Sequence, residues 1–99
     1  MHDPLVTVII VNWNGEDVIG ECLSSLFQQD YKNIEVIVLD NNSKDRSKDI
    51  IKKKFKYVKL IESDKNLGFA EGNNVAVRKA KGEYILLLNS DATVTGNFL

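Results

Sequence analysis

The sequence predicts an α/β domain of the three-layer α/β/α class, a Rossmann-like fold in which a parallel sheet lies between helices. Four short apolar runs alternate with three segments of helical periodicity, in the order βαβαβαβ. Strands joined through a helix have a long crossover connection, which favours parallel neighbours and right-handed crossovers. The first runs are nearly continuously apolar, which is typical of strands covered by helices on both faces.

The first half of the chain contains two strands and the first helix. Leu5–Val11 is rich in β-branched residues and predicts a buried strand. Apolar residues within Glu16–Phe27 recur at helical spacing on one stripe, and Asn14 or Gly15 is the candidate N-cap of this helix. Ile34–Leu39 is a second apolar run and ends next to an aspartate, so it predicts a second strand.

The second half continues the same alternation. Asp45–Lys56 predicts a helix with a short apolar stripe, and Tyr57–Ile61 predicts a short third strand. Ala70–Ala80 follows a polar loop and predicts the third helix. Glu83–Leu88 contains three successive leucines and predicts the fourth strand, after which the chain turns polar.

Length and composition exclude several classes of protein. Ninety-nine residues with 43% apolar and 27% charged side chains fit one globular domain, and a net charge of −1 gives no reason to expect a nucleic-acid partner. The single cysteine, Cys22, excludes an intramolecular disulfide and is expected to be a small buried side chain. The apolar runs are far shorter than the about 20 residues of a spanning helix, and no signal peptide is visible. A cytoplasmic location is therefore expected.

One segment departs from this average composition. Residues 44–56 carry seven basic and two acidic side chains. A basic amphipathic helix can dock peripherally on the inner face of a membrane, and a solvated outer helix is the alternative. The sequence alone leaves both interpretations open.

Polar side chains follow three of the predicted strands directly. Asn12, Asp40 and Asp91 each lie near the carboxyl end of a strand. If the sheet has the common order 3-2-1-4, these ends surround the crevice in which α/β proteins bind ligands. Asp91 is then a candidate ligand of Mg²⁺ or Mn²⁺, and Asp40 a candidate acceptor for the N3–H of a uracil or thymine ring. A helix cap or a turn is the alternative for each acid.

The usual phosphate-binding signatures are missing. The chain contains no G-x-x-x-x-G-K-[ST], and no G-x-G-x-x-G follows the first strand, so neither a P-loop nor a dinucleotide fingerprint is present. The phosphates of a bound nucleotide would then need a carboxylate-held cation.

Four blocks, taken together, resemble a known family. They are residues 6–14 (VTVIIVNWN), 38–45 (VLDNNSKD), 66–74 (NLGFAEGNN) and 84–91 (YILLLNSD). In this order and spacing they look like the amino-terminal half of a family 2 glycosyltransferase with the GT-A fold. The third and fourth blocks resemble its rhamnosyltransferase-like branch. The resemblance implies that residues 1–99 are the nucleotide-sugar-binding part of such a domain.

The resemblance also implies a reaction and a set of site residues. The reaction is transfer of a sugar from a UDP- or dTDP-sugar to a hydroxyl of a glycan or lipid-linked acceptor, with inversion at the anomeric carbon, as in cell-envelope glycan synthesis. Residues 11–13 match the family's nucleoside-facing strand end, Asp40 its base-binding aspartate, and residues 89–91 its D-x-D-like motif with the metal on Asp91. The full matching set is Val11, Asn12, Trp13, Asp40, Asn66, Gly68, Phe69, Asn89 and Asp91.

Two departures from the family pattern affect function. Asn89 replaces the first acid of D-x-D and brings no charge to the metal site. The family's general base lies well downstream of this motif, and this sequence has no position that matches it. We therefore expect a donor-binding fragment in which no residue is assigned as catalytic, and which alone turns over little or no donor.

Other interpretations of these residues remain. Asn66 and Gly68 could form a left-handed turn, Phe69 a lid over the core, and Trp13 a buried loop anchor. The domain could also be a non-catalytic nucleotide-binding or regulatory module, or a scaffold that binds no nucleotide. Nucleotide binding that needs both a divalent cation and Asp91 favours the enzyme.

The fourth strand predicts self-association. It would lie at the edge of the sheet, and Ile85–Leu88 is very apolar. Exposed apolar edges tend to pair with another chain, so we expect a homodimer. Light scattering at high protein concentration checks this, and a strict monomer would contradict it.

Overall fold

The computed structural model describes residues 3–94, and the four strands form one parallel sheet in the order β3-β2-β1-β4. The predicted fold class and strand order are therefore confirmed. Residues 95–99 of the predicted domain lie outside the described part. The elements are β1 (Val6–Asn12), α1 (Ile19–Phe27), β2 (Ile34–Asp40), α2 (Ser47–Lys54), β3 (Lys59–Glu62), α3 (Gly68–Val77) and β4 (Tyr84–Asn89).

The helices cover the two faces of the sheet and produce two core layers. Along β1, Val8 and Ile10 pack in the layer that contains α1 and α2, whereas Ile9 packs with Ala76 of α3. Successive strand residues point to opposite faces, so a strand covered on both sides needs apolar residues at every position. This explains the nearly continuous apolar run of β1, which Thr7 interrupts. Cys22 is fully buried in the first layer, as expected.

The start of α1 differs from the sequence prediction. The helix begins at Ile19, after a turn in which the carbonyl of Gly15 accepts the N–H groups of Val18 (3.0 Å) and Ile19 (2.8 Å). No side chain caps α1, because the Asn14 oxygen accepts the N–H of Lys44 at 2.8 Å. Asn14 as N-cap is therefore wrong, since a contact with the loop after β2 occupies its oxygen.

The sheet surface at β4 is only partly covered. Ile85 and Leu87 are 45% and 50% exposed, while Leu86 and Leu88 on the opposite face pack against the first core layer. Among residues 3–94, β4 pairs only with β1 and α3 packs on the central strands. An apolar edge thus exists where we expected it, and self-association through it stays a prediction.

Glu35 joins three segments near the amino ends of the strands. Its carboxylate accepts hydrogen bonds from Lys59 Nζ (2.8 Å), Thr7 Oγ1 (2.7 Å) and the N–H of Lys81 (2.9 Å). The Thr7 hydroxyl also accepts the N–H of Gly82, whose backbone passes so close to Thr7 that a side chain there would clash. Burial acts to raise the pKa of Glu35, but these bonds outweigh it and lower the pKa to about 2.

The Glu35→Gln variant is expected to lose about 2 kcal/mol of unfolding free energy at pH 7, because an amide replaces a carboxylate in three bonds. Because the folded-state pKa is about 2 and the ordinary value is 4.5, this contribution is present above pH 4.5 and is lost as the pH falls towards 2. Urea denaturation at several pH values should show the two proteins converging in acid. Glu71→Gln, at an exposed residue with a 3.8 Å ion pair, is the control and should differ little from the parent.

Candidate functional site

The carboxyl ends of β1, β2 and β4 meet at one edge of the sheet, which we call the carboxyl edge. Asn12 is in register with Asp40, and Val11 with Asn89. Asp91 follows two residues after Asn89, just past the end of β4. Three strand ends that are distant in sequence therefore come together, as the assumed strand order predicts.

Asn12 and Asp40 form a buried polar pair rather than an open site. Both are fully buried, and Asn12 Nδ2 donates to Asp40 Oδ1 at 2.8 Å and to Ser47 Oγ at 2.9 Å. Asp40 also accepts the hydroxyl (2.7 Å) and the N–H (2.9 Å) of Ser43. In this arrangement neither carboxylate oxygen faces solvent, so contact between Asp40 and a nucleobase would require the pair to open. That contact stays a prediction.

The oxygen of the Asn12 amide has no hydrogen-bond partner among residues 3–94, although it is buried. A Cβ at Gly15 would lie 2.2 Å from this oxygen. The backbone of Gly15 therefore fills the space beside the amide, and any side chain at this position would displace Asn12.

The loop after β1 and the loop after β2 bond to each other reciprocally, and we call them the paired loops (residues 13–18 and 41–46). Lys44 N–H donates to Asn14 Oδ1 at 2.8 Å. Glu16 N–H donates to Asp45 Oδ2, while Arg46 N–H donates to Glu16 Oε1, both at 2.9 Å. Each loop thus supplies both donors and acceptors to the other.

Asp45 lies two residues before α2 and was not singled out from the sequence as a site residue. Partial burial acts to raise its pKa, but bonds from the hydroxyl and N–H of Ser47 and the N–H of Glu16 outweigh burial and lower the pKa. The turn residues after β2 gave a signal for a turn, but nothing in their spacing indicated that their partners are about 30 residues away.

The loop before α3 is held against β2 by Asn41. This buried amide donates to the carbonyl of Gly68 and accepts the N–H of Leu67, both at 3.0 Å. Asn66 Oδ1 accepts the N–H of Gly68, whose φ of +81° lies in the left-handed region that favours glycine. Asn66 and Gly68 therefore form the turn that the sequence allowed, at the rim of the carboxyl edge.

The exposed members of the predicted set are the groups that a ligand could reach. Trp13 and Phe69 are each 57% exposed, and Asn89 and Asp91 are exposed as well. Trp13 is therefore not a buried anchor, and Phe69 is not a lid over the core. Val11 is half-buried under α3 and packs closely against Gly72. A Cβ atom added at Gly72 would lie 3.2 Å from both methyl groups of Val11.

Asp91 also affects the thiol of Cys22, which lies beneath the end of β4. The thiol donates a weak hydrogen bond to the carbonyl of Asn89 at 3.7 Å. Burial, with a smaller contribution from the negative charge of Asp91, raises the pKa of this thiol to about 11. Cys22 therefore stays protonated and unreactive at neutral pH.

The metal-ligating side chains are sparse at this edge. Among the described residues, no three His, Cys, Asp or Glu side chains lie close enough to hold a metal ion by themselves. At the end of β4, the groups that face solvent are the neutral amide of Asn89 and, two residues later, the carboxylate of Asp91. Such a pair suits a hard cation that takes its remaining ligands from phosphate oxygens and water.

Comparison with known proteins decides the family. The profile of Glycosyl transferase family 2 matches residues 7–99. The chain belongs to glycosyltransferase family 2. An Escherichia coli family relative, WfaP, named UDP-Glc:alpha-D-GlcNAc-diphosphoundecaprenol beta-1,3-glucosyltransferase, is 41% identical over 88 residues. That match covers 88% of this chain and 35% of WfaP.

Solved structures confirm the GT-A fold of this family 2 chain. The mannosyltransferase PcManGT of Pyrobaculum calidifontis, in complex with GDP-Man and Mn²⁺, is similar with a TM-score of 0.91 and 29% identity. The match covers 97% of this chain and 30% of PcManGT. S. aureus TarS (residues 1–349), in complex with UDP, has a TM-score of 0.82 and 34% identity, over 87% of this chain and 27% of that one.

This family 2 chain therefore spans about a third of the length of the relatives named here. Within residues 3–94, no helix combines the length and apolar character that crossing a membrane requires.

Proposed function

We propose that this chain binds a nucleotide-diphosphate sugar at its carboxyl edge and is the donor-binding part of an inverting glycosyltransferase. The observation that carries the proposal is the exposure of Trp13, Asn89 and Asp91 at adjacent strand ends, in a chain matched by the family profile over residues 7–99. Ligands of open α/β sheets bind outside the carboxyl ends of the strands.

We assign distinct roles to the exposed and the buried members. Trp13 offers an aromatic face to the nucleobase, and Phe69 contacts the donor from the α3 side. The turn formed by Asn66 and Gly68 shapes the rim. Val11 and the buried residues Asn12 and Asp40 do not contact the donor; they hold the paired loops in place. Asp40 is then a positioning residue in this conformation.

A divalent cation, Mg²⁺ or Mn²⁺, fits the groups present. Asp91 would hold it together with the diphosphate of the donor, and Asn89 would bond a metal-bound water or a ribose hydroxyl. When bound, such a cation neutralises the charge that develops on the leaving diphosphate. This proposal is supported by the exposed carboxylate of Asp91, and PcManGT, with 29% identity, is described with Mn²⁺.

In the reaction, the oxygen of the acceptor hydroxyl bonds to the anomeric carbon while the bond from that carbon to the diphosphate breaks. The hydroxyl proton passes to a general base, a role that we assign to none of residues 3–94. The contribution of this chain is to bind and orient the donor, which lowers the entropic part of the barrier.

The nucleotide of the donor is a UDP or dTDP moiety in our proposal. TarS is described with UDP, and WfaP is named for UDP-Glc and a diphosphoundecaprenol-linked acceptor. A lipid-linked or glycan acceptor for this chain follows by analogy. Membership of the rhamnosyltransferase-like branch, which the third and fourth sequence blocks resemble, is also part of this proposal.

Calorimetric titration of the chain with UDP, dTDP and GDP, with and without Mn²⁺, tests the proposal. Binding of UDP or dTDP that requires the cation is expected. Trp13→Ala should weaken it about 5- to 150-fold, since stacking of a base on an aromatic side chain contributes about 1–3 kcal/mol. Tyr57→Ala, which removes another exposed aromatic residue, away from the carboxyl edge, is the control and should bind as the parent does.

Binding that ignores the cation would favour the non-catalytic nucleotide-binding module instead. A folded protein that binds none of the three nucleotides at millimolar concentration would contradict the proposed function.

A further inference from the structure

A second surface, distant from the carboxyl edge, combines exposed and half-buried aromatic side chains with exposed basic ones. It lies where α1 and α2 end, and we call it the basic aromatic patch. Its members are Phe27, Lys53, Lys54, Phe55, Lys56 and Tyr57. The donor site described above uses none of them.

The aromatic part of the patch is a groove of about 460 Å³ between the two helices. Phe27 of α1 and Phe55 after α2 stack with ring centroids 6.3 Å apart and planes 17° from parallel. Phe27 remains 37% exposed, and Tyr57 is 93% exposed. Tyr57 therefore contributes almost nothing to the core, and its aromatic ring lies on the surface next to this groove.

The basic part of the patch lacks neutralising partners. Residues 50–61 contain five lysines and no acid. Two of these lysines, Lys52 and Lys59, pair with Glu62 and Glu35. Lys53, Lys54 and Lys56 are exposed and form no ion pair within residues 3–94. The favourable dipole at the end of α2 accounts for some basic residues there, but not for Lys56 beyond the helix.

Charge is strongly polarised between this segment and the remainder of the chain. Residues 52–56 carry four basic side chains and no acid, whereas all other positions together carry nine basic and fourteen acidic ones. An anionic surface would attract one side of the domain and repel the rest. This orients the molecule, which a uniformly neutral protein would not achieve.

We propose that the basic aromatic patch docks the domain on an anionic lipid bilayer. Aromatic side chains with a polar tip, such as Tyr57, prefer the headgroup region, and lysines beside an anionic membrane each strengthen binding about fivefold. A groove that exposes stacked aromatic rings among unpaired lysines matches both requirements of an interfacial surface, apolar insertion and electrostatic attraction.

Docking in this way leaves the carboxyl edge open. The helices of βαβ units run antiparallel to the strands, so α1 and α2 end towards the amino ends of the strands. Asn89 and Asp91 lie at the opposite ends of the strands. Membrane docking is thus independent of nucleotide binding, and it does not rest on the proposed function.

Sedimentation with vesicles tests the proposal without any nucleotide. The chain is mixed with neutral phosphatidylcholine vesicles, or with vesicles that contain phosphatidylglycerol, at low and at high salt. We expect binding only to the anionic vesicles, and its loss in high salt because the charges are then screened. The triple variant Lys53→Gln, Lys54→Gln, Lys56→Gln should bind on the order of 100-fold more weakly.

A matched control removes the same charge elsewhere. The triple variant Lys65→Gln, Lys79→Gln, Lys81→Gln changes three exposed lysines outside the patch and should bind as the parent does. Tyr57→Ala should weaken binding with the charge unchanged. Circular dichroism checks that each variant is folded.

Three outcomes would overturn the proposal. They are equal losses in the two triple variants, binding to neutral vesicles that ignores salt, and no vesicle binding by the folded parent at low salt. In the last case, binding of soluble polyglutamate would assign the patch to an acidic polypeptide.

Discussion

The Asp40→Ala variant is expected to unfold about 3 kcal/mol more easily than the parent, even without any ligand. The substitution leaves the buried Asn12 amide and the N–H of Ser43 without their acceptor and opens a small cavity. A buried polar group left unpaired costs about 1–3 kcal/mol. Urea denaturation measures the difference.

Asp30→Ala provides the matched control for this variant. Asp30 is exposed in the connection between α1 and β2, at the end of the sheet away from Asp40. Its removal should change the unfolding free energy by no more than about 0.5 kcal/mol. If Asp40→Ala is as stable as the parent, the buried pair is not structural, and a role of Asp40 in contact with the nucleobase becomes the better explanation.

The Asp91→Asn variant is expected to lose cation-dependent nucleotide binding by about 100-fold or more, since it removes the single carboxylate that we propose for the metal. Its unfolding free energy should stay close to that of the parent, because Asp91 is exposed. Titration of UDP in the presence of Mn²⁺ gives the binding constant, and the same titration without Mn²⁺ separates the metal from the nucleotide.

Asp30→Asn carries the same chemical change far from the carboxyl edge and should bind UDP normally. Unchanged affinity of Asp91→Asn in Mn²⁺ would remove Asp91 from the proposed metal site. The combination of lost binding and retained stability would distinguish Asp91 from Asp40, for which we expect stability itself to fall.

The strands were predictable because their signal is local. In the middle of β1 and β2, at residues 8–10 and 36–39, every buried position is apolar, and this pattern depends only on coverage of both faces. Helix starts were less predictable. Asn14 has the chemistry of an N-cap, yet a backbone N–H from another loop uses its oxygen. The spacing of residues within one segment cannot indicate a hydrogen-bond donor that comes from another segment of the chain.

In the candidate site, too, some features were predictable from the sequence and others were not. The sequence identified Trp13 and Asp91 as strand-end groups, and both are exposed at the carboxyl edge. It could not tell that Asp40, with the same position after a strand, is fully buried. That difference arises from Asn12 and Ser43, which come from separate segments and surround the carboxylate only in the folded chain.

The paired loops have a consequence for the entropy of binding. Because each loop bonds the other through both donors and acceptors, neither can move far without breaking the bonds of its neighbour. The paired loops therefore lose their conformational entropy when the chain folds, and they lose little more when a ligand binds. A ligand at this edge would lose its own freedom but would not have to order two loops, which is how a small domain can bind with few contacts.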